Sequence, residues 1–112
     1  MSRMHVTVTM DRPLGSCHPK HKDLYYPVNY GYVAGVLGGD GEAQDAYVLG
    51  VDVPVQTFSG DVIAVIHRHD DVEDKWVVAP ENMCLTKEEI LAAVWFQEQY
   101  LDSEVDLTSG DL

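Results

Sequence analysis

The sequence is poor in basic residues and contains no long hydrophobic run. Its 7 Lys and Arg stand against 19 Asp and Glu, which gives a formal net charge of −12. Nucleic-acid binding depends on neutralising phosphates with Lys and Arg, so this charge predicts no nucleic-acid partner. A transmembrane helix needs about 20 consecutive apolar residues, and no segment of the sequence approaches that length. We therefore expect no membrane partner.

Cysteine is also scarce, and the start of the sequence lacks a recognisable targeting segment. Cys17 and Cys84 are the two cysteines, too few for a disulfide framework. The first residues lack the apolar stretch of a secretory signal peptide. Together these absences predict a reduced, cytoplasmic protein. A chain of 112 residues suits one domain, and no linker-like stretch divides it.

The hydrophobic pattern is dominated by short strands, which are followed by one helix. Strand-like composition occurs in residues 4–10, 25–36, 46–49, 62–66 and 76–79. Thr86 and Glu89 form a capping box in front of a helical pattern with one apolar face, formed by Ile90, Leu91, Val94, Trp95 and Leu101. The acidic residues 103–112 are expected to form a frayed tail. The pattern predicts a mainly β, α+β protein: a small, OB-like, five-stranded β-barrel with a C-terminal α-helix.

Two acidic clusters stand beside apolar segments. Asp40, Glu42 and Asp45 fall within six residues, D-G-E-A-Q-D, and a second cluster, D-D-V-E-D at residues 70–74, precedes Lys75. Carboxylate oxygens are natural ligands for hard divalent cations, and two such ions can clamp a phosphate chain. Acidic residues also collect in solvated turns, which is the alternative interpretation of both clusters. The sequence contains no EF-hand, P-loop or dinucleotide-binding motif.

Three segments occur in an order that resembles a known enzyme family. They are Y-P-V-N-Y-G-Y-V at residues 26–33, D-G-E-A-Q-D-A at residues 40–46 and D-D-V-E-D-K-W-V-V-A-P at residues 70–80. These segments resemble the signatures of the family I soluble inorganic pyrophosphatases. The resemblance implies one pyrophosphatase-like domain over residues 1–112 that hydrolyses inorganic pyrophosphate to two phosphates. It also implies Mg²⁺, with Mn²⁺ as the alternative, and a hydroxide nucleophile activated by two metal ions.

The resemblance assigns roles to individual residues. The implied metal ligands are Asp11, Asp40, Asp45, Asp71 and Glu73, with Asp70 and Asp74 as one-residue shifts of the last two. The implied catalytic residues are Glu42, Tyr30 and Lys75, of which Glu42 replaces the Asp that activates the attacking water. The implied substrate-binding residues are Lys20, Tyr30, Lys75 and Tyr100.

The sequence departs from the family in the residues that bind phosphate. Leu101 stands where the family has a Lys, and the hairpin that carries the family's phosphate-binding Arg is missing between Lys20 and Tyr26. The candidates to replace these cations are His18, His21, His67 and Arg68. Two alternatives therefore stay open: a hydrolase of another phosphoanhydride or nucleotide, and a non-catalytic module that binds metal or phosphate. Bacterial members of the family are commonly oligomeric, so the resemblance also leaves a homo-oligomer open.

Overall fold

Six strands and one helix make up the part of the chain that the structure describes. The computed structural model describes residues 4–18, 20, 25–38, 41–69, 74–81, 83–100 and 102–107. In chain order the elements are β1 (His5–Arg12), β2 (Asn29–Leu37), β3 (Ala43–Val48), β4 (Thr57–Arg68), β5 (Asp74–Ala79), α1 (Lys87–Glu98) and β6 (Ser103–Leu107).

Five of the strands close into a barrel. Neighbouring strands follow the order β1-β2-β3-β5-β4, and β1 also pairs with β4, which closes the sheet. The β3–β5 pair is parallel, and the other barrel pairs are antiparallel. Strand β6 extends the sheet at β4. The predicted mainly β fold, with an OB-like five-stranded barrel and one helix, is confirmed.

The two faces of the barrel strands pack into separate hydrophobic clusters. Successive side chains of a strand point to opposite faces, so Ala46 and Val48 of β3 face the barrel interior while Tyr47 faces outward. The inner cluster comprises Val8, Met10, Val33, Ala46, Val48, Val62 and Val78. The outer cluster joins Tyr47 and Val77 to Ile90 and Val94 of α1. Helix α1 therefore covers one outer side of the barrel.

Helix α1 begins at the predicted capping box. The Thr86 Oγ1 accepts a hydrogen bond from the backbone N–H of Glu89 at 3.1 Å, and the Glu89 Oε1 accepts one from the backbone N–H of Thr86 at 2.8 Å. These two bonds satisfy backbone donors that the first turn of a helix leaves unpaired. Of the predicted apolar face, Ile90 and Val94 are fully buried against the barrel, whereas Trp95 is 50 % exposed and Leu101 lies outside the described residues.

The frayed tail predicted from residue 103 onward is wrong for residues 103–107. Ser103–Leu107 forms β6, which pairs antiparallel with the end of β4. Val105 supplies the physical reason, because it buries its side chain in the outer cluster and is only 7 % exposed. The backbone of β6 also pairs with N–H and C=O groups at the edge of β4 that would otherwise lack a hydrogen-bond partner in the sheet. The rest of the predicted tail, residues 108–112, lies outside the described residues.

Candidate active site

Asp45 and Lys75 meet on the outer face of the barrel. The parallel pairing of β3 with β5 places Ala46 beside Trp76, so the residues just before them are also neighbours. The Lys75 Nζ donates a hydrogen bond to the Asp45 Oδ2, and these two side chains are 4 % and 28 % exposed. The Asp45 carboxylate is therefore the counterion of a deeply buried ammonium group.

A bulge in β1 places Asp11 near this pair. Met10 pairs with Gly31 and Arg12 pairs with Tyr30, so Asp11 is the extra residue between two ladder positions. Bulges often redirect a side chain beside a functional site. Partial burial raises the pKa of the Asp11 carboxyl, the charge of Arg12 opposes that shift, and the charge of Asp45 adds to it. The two carboxylates therefore lie close enough to repel each other.

Tyr30 lies between the carboxylates and the aromatic side of the helix. Its ring is 5.8 Å from the ring of Tyr26 and 4.8 Å from the ring of Tyr47, centroid to centroid. Burial raises the pKa of the Tyr30 phenol far above its usual range, and the nearby charge of Asp45 raises it further. Tyr30 therefore stays protonated at neutral pH and can donate a hydrogen bond.

Three other predicted site residues within the described part of the chain lie at the surface. Glu42 is exposed in the turn between β2 and β3, where its carbonyl accepts a hydrogen bond from Gly38 N at 2.7 Å. Lys20 is exposed, and Tyr100 is 74 % exposed just beyond the end of α1. The predicted ligands Asp40, Asp71 and Glu73 lie outside the described residues, as do Asp70 and His21.

Asp74, the alternative to Glu73 as a metal ligand, does not share a face of its strand with Lys75. Asp74 and Lys75 are adjacent in β5, so their side chains point to opposite faces of the strand. The Asp74 carboxylate contacts the Nδ1 of His67 at 3.2 Å. His18, another candidate cation, uses its Nδ1 to accept a hydrogen bond from the backbone N–H of Lys20 at 3.1 Å.

Arg68, a candidate replacement for the missing cations, is held by a buried carboxylate. Its Nε and Nη2 donate to the two carboxylate oxygens of Glu98 at 3.2 Å and 2.6 Å. Glu98 also accepts hydrogen bonds from the Tyr47 hydroxyl at 2.6 Å and the Ser103 hydroxyl at 2.5 Å. The group joins β3, β4, α1 and β6. Sequence reasoning missed it, although Glu98 continues the buried helix stripe of Ile90 and Val94 at four-residue spacing.

Arg12 is the second group that sequence reasoning missed. Its Nη1 donates to the backbone carbonyl of Asp11 at 3.0 Å, and its guanidinium interacts with the hydroxyl of Tyr26. Its Nε is shielded from solvent and has no hydrogen-bond partner among the described residues. An unpaired buried donor costs about 1–3 kcal/mol. The only available sequence signal was a cation directly after Asp11.

Comparison with solved structures identifies the architecture. The inorganic pyrophosphatase of Ehrlichia chaffeensis superposes with a TM-score of 0.70 at 18% identity, covering 96% of this chain and 87% of that chain. The Helicobacter pylori enzyme gives 0.62 at 21% identity, covering 96% and 86%, and the Neisseria gonorrhoeae enzyme gives 0.62 at 20% identity, covering 86% and 73%. The chain has the fold of bacterial inorganic pyrophosphatases. No protein-family model matches the sequence, and no curated protein does.

The donor set on this pyrophosphatase fold suits a hard divalent cation. The charge of Asp45 raises the pKa of the Asp11 carboxyl, and a cation bound near both carboxylates would relieve that repulsion. Both offer carboxylate oxygens, which Mg²⁺ and Mn²⁺ prefer. Lys75 contacts Asp45 and the charge of Arg12 acts on Asp11, so these four side chains together carry no net charge.

A separate group of possible metal ligands lies elsewhere on the pyrophosphatase-like barrel. Among the described residues, His5, Asp61 and Glu81 offer ligand atoms that all lie within 4.8 Å of one another. None of the three belongs to the predicted metal site. As for a membrane, no helix in the described ranges is long and apolar enough to cross one.

Proposed function

We propose that this chain hydrolyses inorganic pyrophosphate to two phosphates with the help of bound Mg²⁺, with Mn²⁺ as the alternative ion. The observation that carries the proposal is the convergence of Asp11, Tyr30, Asp45 and Lys75 on one outer face of a barrel with the pyrophosphatase fold. Two acids, one buried ammonium and one neutral phenol supply both ligands for a cation and donors for phosphate oxygens.

The metal-binding half of the proposed site consists of carboxylates. Asp11 and Asp45 would hold the ions together with Asp40, Asp71 and Glu73, which the family resemblance adds. When bound, the ions lower the pKa of a water molecule and offset the negative charge of the phosphates. Glu42, which the family resemblance places at the position of the water-activating Asp, would accept a proton from the attacking water.

The phosphate-binding half consists of donors held in place by the barrel. Lys75 is held by its hydrogen bond to Asp45, whose carboxylate is 28 % exposed, whereas the Glu98 carboxylate that holds Arg68 is fully buried. The Lys75 ammonium group is therefore already oriented when a phosphate arrives. Tyr30 donates from a neutral hydroxyl, because its raised pKa prevents ionisation. Lys20 and Tyr100 complete the set as exposed groups that contact the substrate from the solvent side.

Arg12 takes over part of the role of the missing family cations. Arg68 is already neutralised by Glu98, whereas the Nε of Arg12 has no partner among the described residues. The guanidinium lies next to Asp11 and Tyr26, at the edge of the proposed site. Arginine binds phosphate through parallel N–H donors, so a modest rotation of this long side chain would pair its Nε with a phosphate oxygen.

Substitution of Asp45 tests the proposal. We expect Asp45→Asn to lower Mg²⁺-dependent phosphate release from pyrophosphate on the order of 100-fold or more, since it removes a metal ligand but retains the side-chain shape. The matched control is Asp52→Asn, which changes an exposed acid in the loop between β3 and β4. Circular dichroism of both variants verifies that they fold. Equal activity of Asp45→Asn and wild type would contradict the proposed site.

A further inference from the structure

Three potential ligands converge at a corner of the barrel away from the proposed active site. The β1–β4 register sets His5 directly opposite Asp61, and the Nδ1 of His5 lies 3.0 Å from the Oδ1 of Asp61. The β4–β5 register sets Asp61 opposite Ala79, and the chain turns after Pro80 to bring Glu81 to the same point. The three ligand atoms therefore come from three different segments of the chain.

The other paired histidines of the described chain show why this group is different. His67 contacts Asp74 through Nδ1 at 3.2 Å and Asp106 through Nε2 at 3.5 Å. Its two acids thus lie on opposite sides of the ring and cannot share one ion with the same nitrogen. His69 contacts Glu104 through Nε2 at 3.2 Å. At His5, by contrast, two carboxylates and one imidazole nitrogen face a common point.

We propose that His5, Asp61 and Glu81 bind one Zn²⁺ ion. Imidazole nitrogen with carboxylate oxygen is a typical zinc ligand set, whereas Mg²⁺ prefers oxygen ligands alone. Zinc bonds of about 2.0–2.2 Å at a tetrahedral angle place two ligand atoms of one ion about 3.4 Å apart. The three atoms lie within 4.8 Å of one another, so side-chain rotations of the exposed His5 and Glu81 toward Asp61 bring them to bonding distance. A water molecule completes the coordination of such an ion.

The proposed zinc site is structural and independent of pyrophosphate hydrolysis. His5 and Asp11 are at opposite ends of β1, and six residues of extended strand span about 20 Å. A bound ion would connect β1 and β4 to the segment that follows β5, and a ligand that binds only the folded state stabilises it by mass action. Zinc therefore raises the thermal stability of the protein without replacing the catalytic ions.

Zinc titration of matched variants tests this site. Both cysteines are exposed and could bind zinc themselves, so the titrations use a Cys17→Ser, Cys84→Ser background. Excess MgCl₂ occupies the oxygen-only sites. We expect calorimetry with ZnCl₂ to give one site per chain, with affinity lowered at least about tenfold by His5→Gln or Glu81→Gln. His69→Gln, which alters a similarly exposed His–carboxylate pair, is the control and should leave the affinity unchanged.

Nuclear magnetic resonance of the histidine rings locates the bound ion. We expect ZnCl₂ to shift the His5 ring signals and to leave those of His69 in place. Absence of saturable zinc binding would overturn the inference, and so would an affinity that His5→Gln does not change. Because neither measurement involves pyrophosphate, the outcome does not depend on the proposed hydrolase activity.

Discussion

Arg12 and Arg68 differ in what surrounds their guanidinium groups, and this difference separates a binding role from a structural one. Arg68 is 9 % exposed and donates two hydrogen bonds to Glu98. Arg12 donates to a backbone carbonyl and leaves its Nε without a described partner. A guanidinium already paired with a buried carboxylate gains little from phosphate, whereas an incompletely paired one gains a charge-assisted hydrogen bond.

Substitution of Arg12 by glutamine should therefore weaken substrate binding. A hydrogen bond between charged groups contributes about 1.5–3 kcal/mol, so we expect Arg12→Gln to raise the KM for pyrophosphate by about 10- to 100-fold. A smaller change in kcat is expected if the bond forms equally in the bound substrate and the transition state. Lys87→Gln, which removes an exposed cation at the start of α1, is the control. An unchanged KM for Arg12→Gln would assign the residue a structural role.

Glu98 is the residue whose charge state should matter most for the fold. Burial alone raises the pKa of its carboxyl, but hydrogen bonds from Arg68, Ser103 and Tyr47 outweigh that effect and hold the pKa below the ordinary 4.5. The unfolded chain consequently takes up a proton at a higher pH than the folded chain does. The ionised carboxylate therefore stabilises the fold above about pH 4.5, and this contribution is lost as the pH falls through the lower folded-state pKa.

Glu98→Gln should expose this pH dependence. Removing one charge of a buried pair costs about 3–5 kcal/mol, so we expect a loss of that size in the free energy of unfolding at pH 7. The difference in unfolding free energy between wild type and variant should narrow as the pH falls below 4.5 and through the lowered pKa of folded Glu98, where the wild-type side chain becomes neutral as well. Urea unfolding across this pH range measures this difference, with the exposed Glu88→Gln as control. A difference in unfolding free energy that does not change with pH would contradict the lowered pKa of Glu98.

At the scale of elements, the pairing of β1 with β2 determines where Asp11 and Arg12 point. Gly31 lies opposite Met10, immediately before the bulge. A Cβ atom at Gly31 would lie 1.9 Å from the backbone carbonyl oxygen of Thr9 and 2.7 Å from the Cα of Met10. Both contacts are with backbone, which cannot rotate away as a flexible side chain can. The close approach of the two strands therefore depends on a residue without a side chain.

Gly31→Ala should disrupt this strand pair. We expect a loss of about 3 kcal/mol or more in the free energy of unfolding, because the added methyl group forces β1 away from β2. Any folded fraction should also lose phosphate-releasing activity, since Asp11 moves with β1. Ala34→Ser, an exposed change in the same strand, is the control for denaturant unfolding. Wild-type stability of Gly31→Ala would show that the strands do not approach this closely.

The observed helix and strands also show which elements could be predicted from the sequence. Short-range sequence patterns were sufficient for the capping box at Thr86 and for the apolar strand predicted at residues 46–49, which belongs to β3 (Ala43–Val48). Strand β6 was missed because its pairing depends on the distant edge of β4, and a short acidic segment has the composition of a tail. The Arg68–Glu98 pair was missed for the same reason, since 30 residues separate its members.

At the scale of the whole molecule, the net charge of −12 determines what the proposed reaction needs. Such a charge repels an anionic substrate, so binding pyrophosphate depends on cations placed at the site. The described cations there are Lys75, which is paired with Asp45, and Arg12, which is next to Asp11. Each cation is offset by its neighbouring carboxylate, so the four side chains supply no net positive charge for a polyanion. Divalent ions therefore have to supply most of the positive charge.

Phosphate release from pyrophosphate by the purified full chain tests this central claim most directly. We expect steady turnover with MgCl₂, no turnover after chelation of the metal, and slower hydrolysis of nucleoside triphosphates than of pyrophosphate. Faster release from nucleoside triphosphates would instead favour another phosphoanhydride as the substrate. The claim is contradicted if neither MgCl₂ nor MnCl₂ supports any phosphate release while calorimetry still detects pyrophosphate binding, the result expected of a non-catalytic binding module.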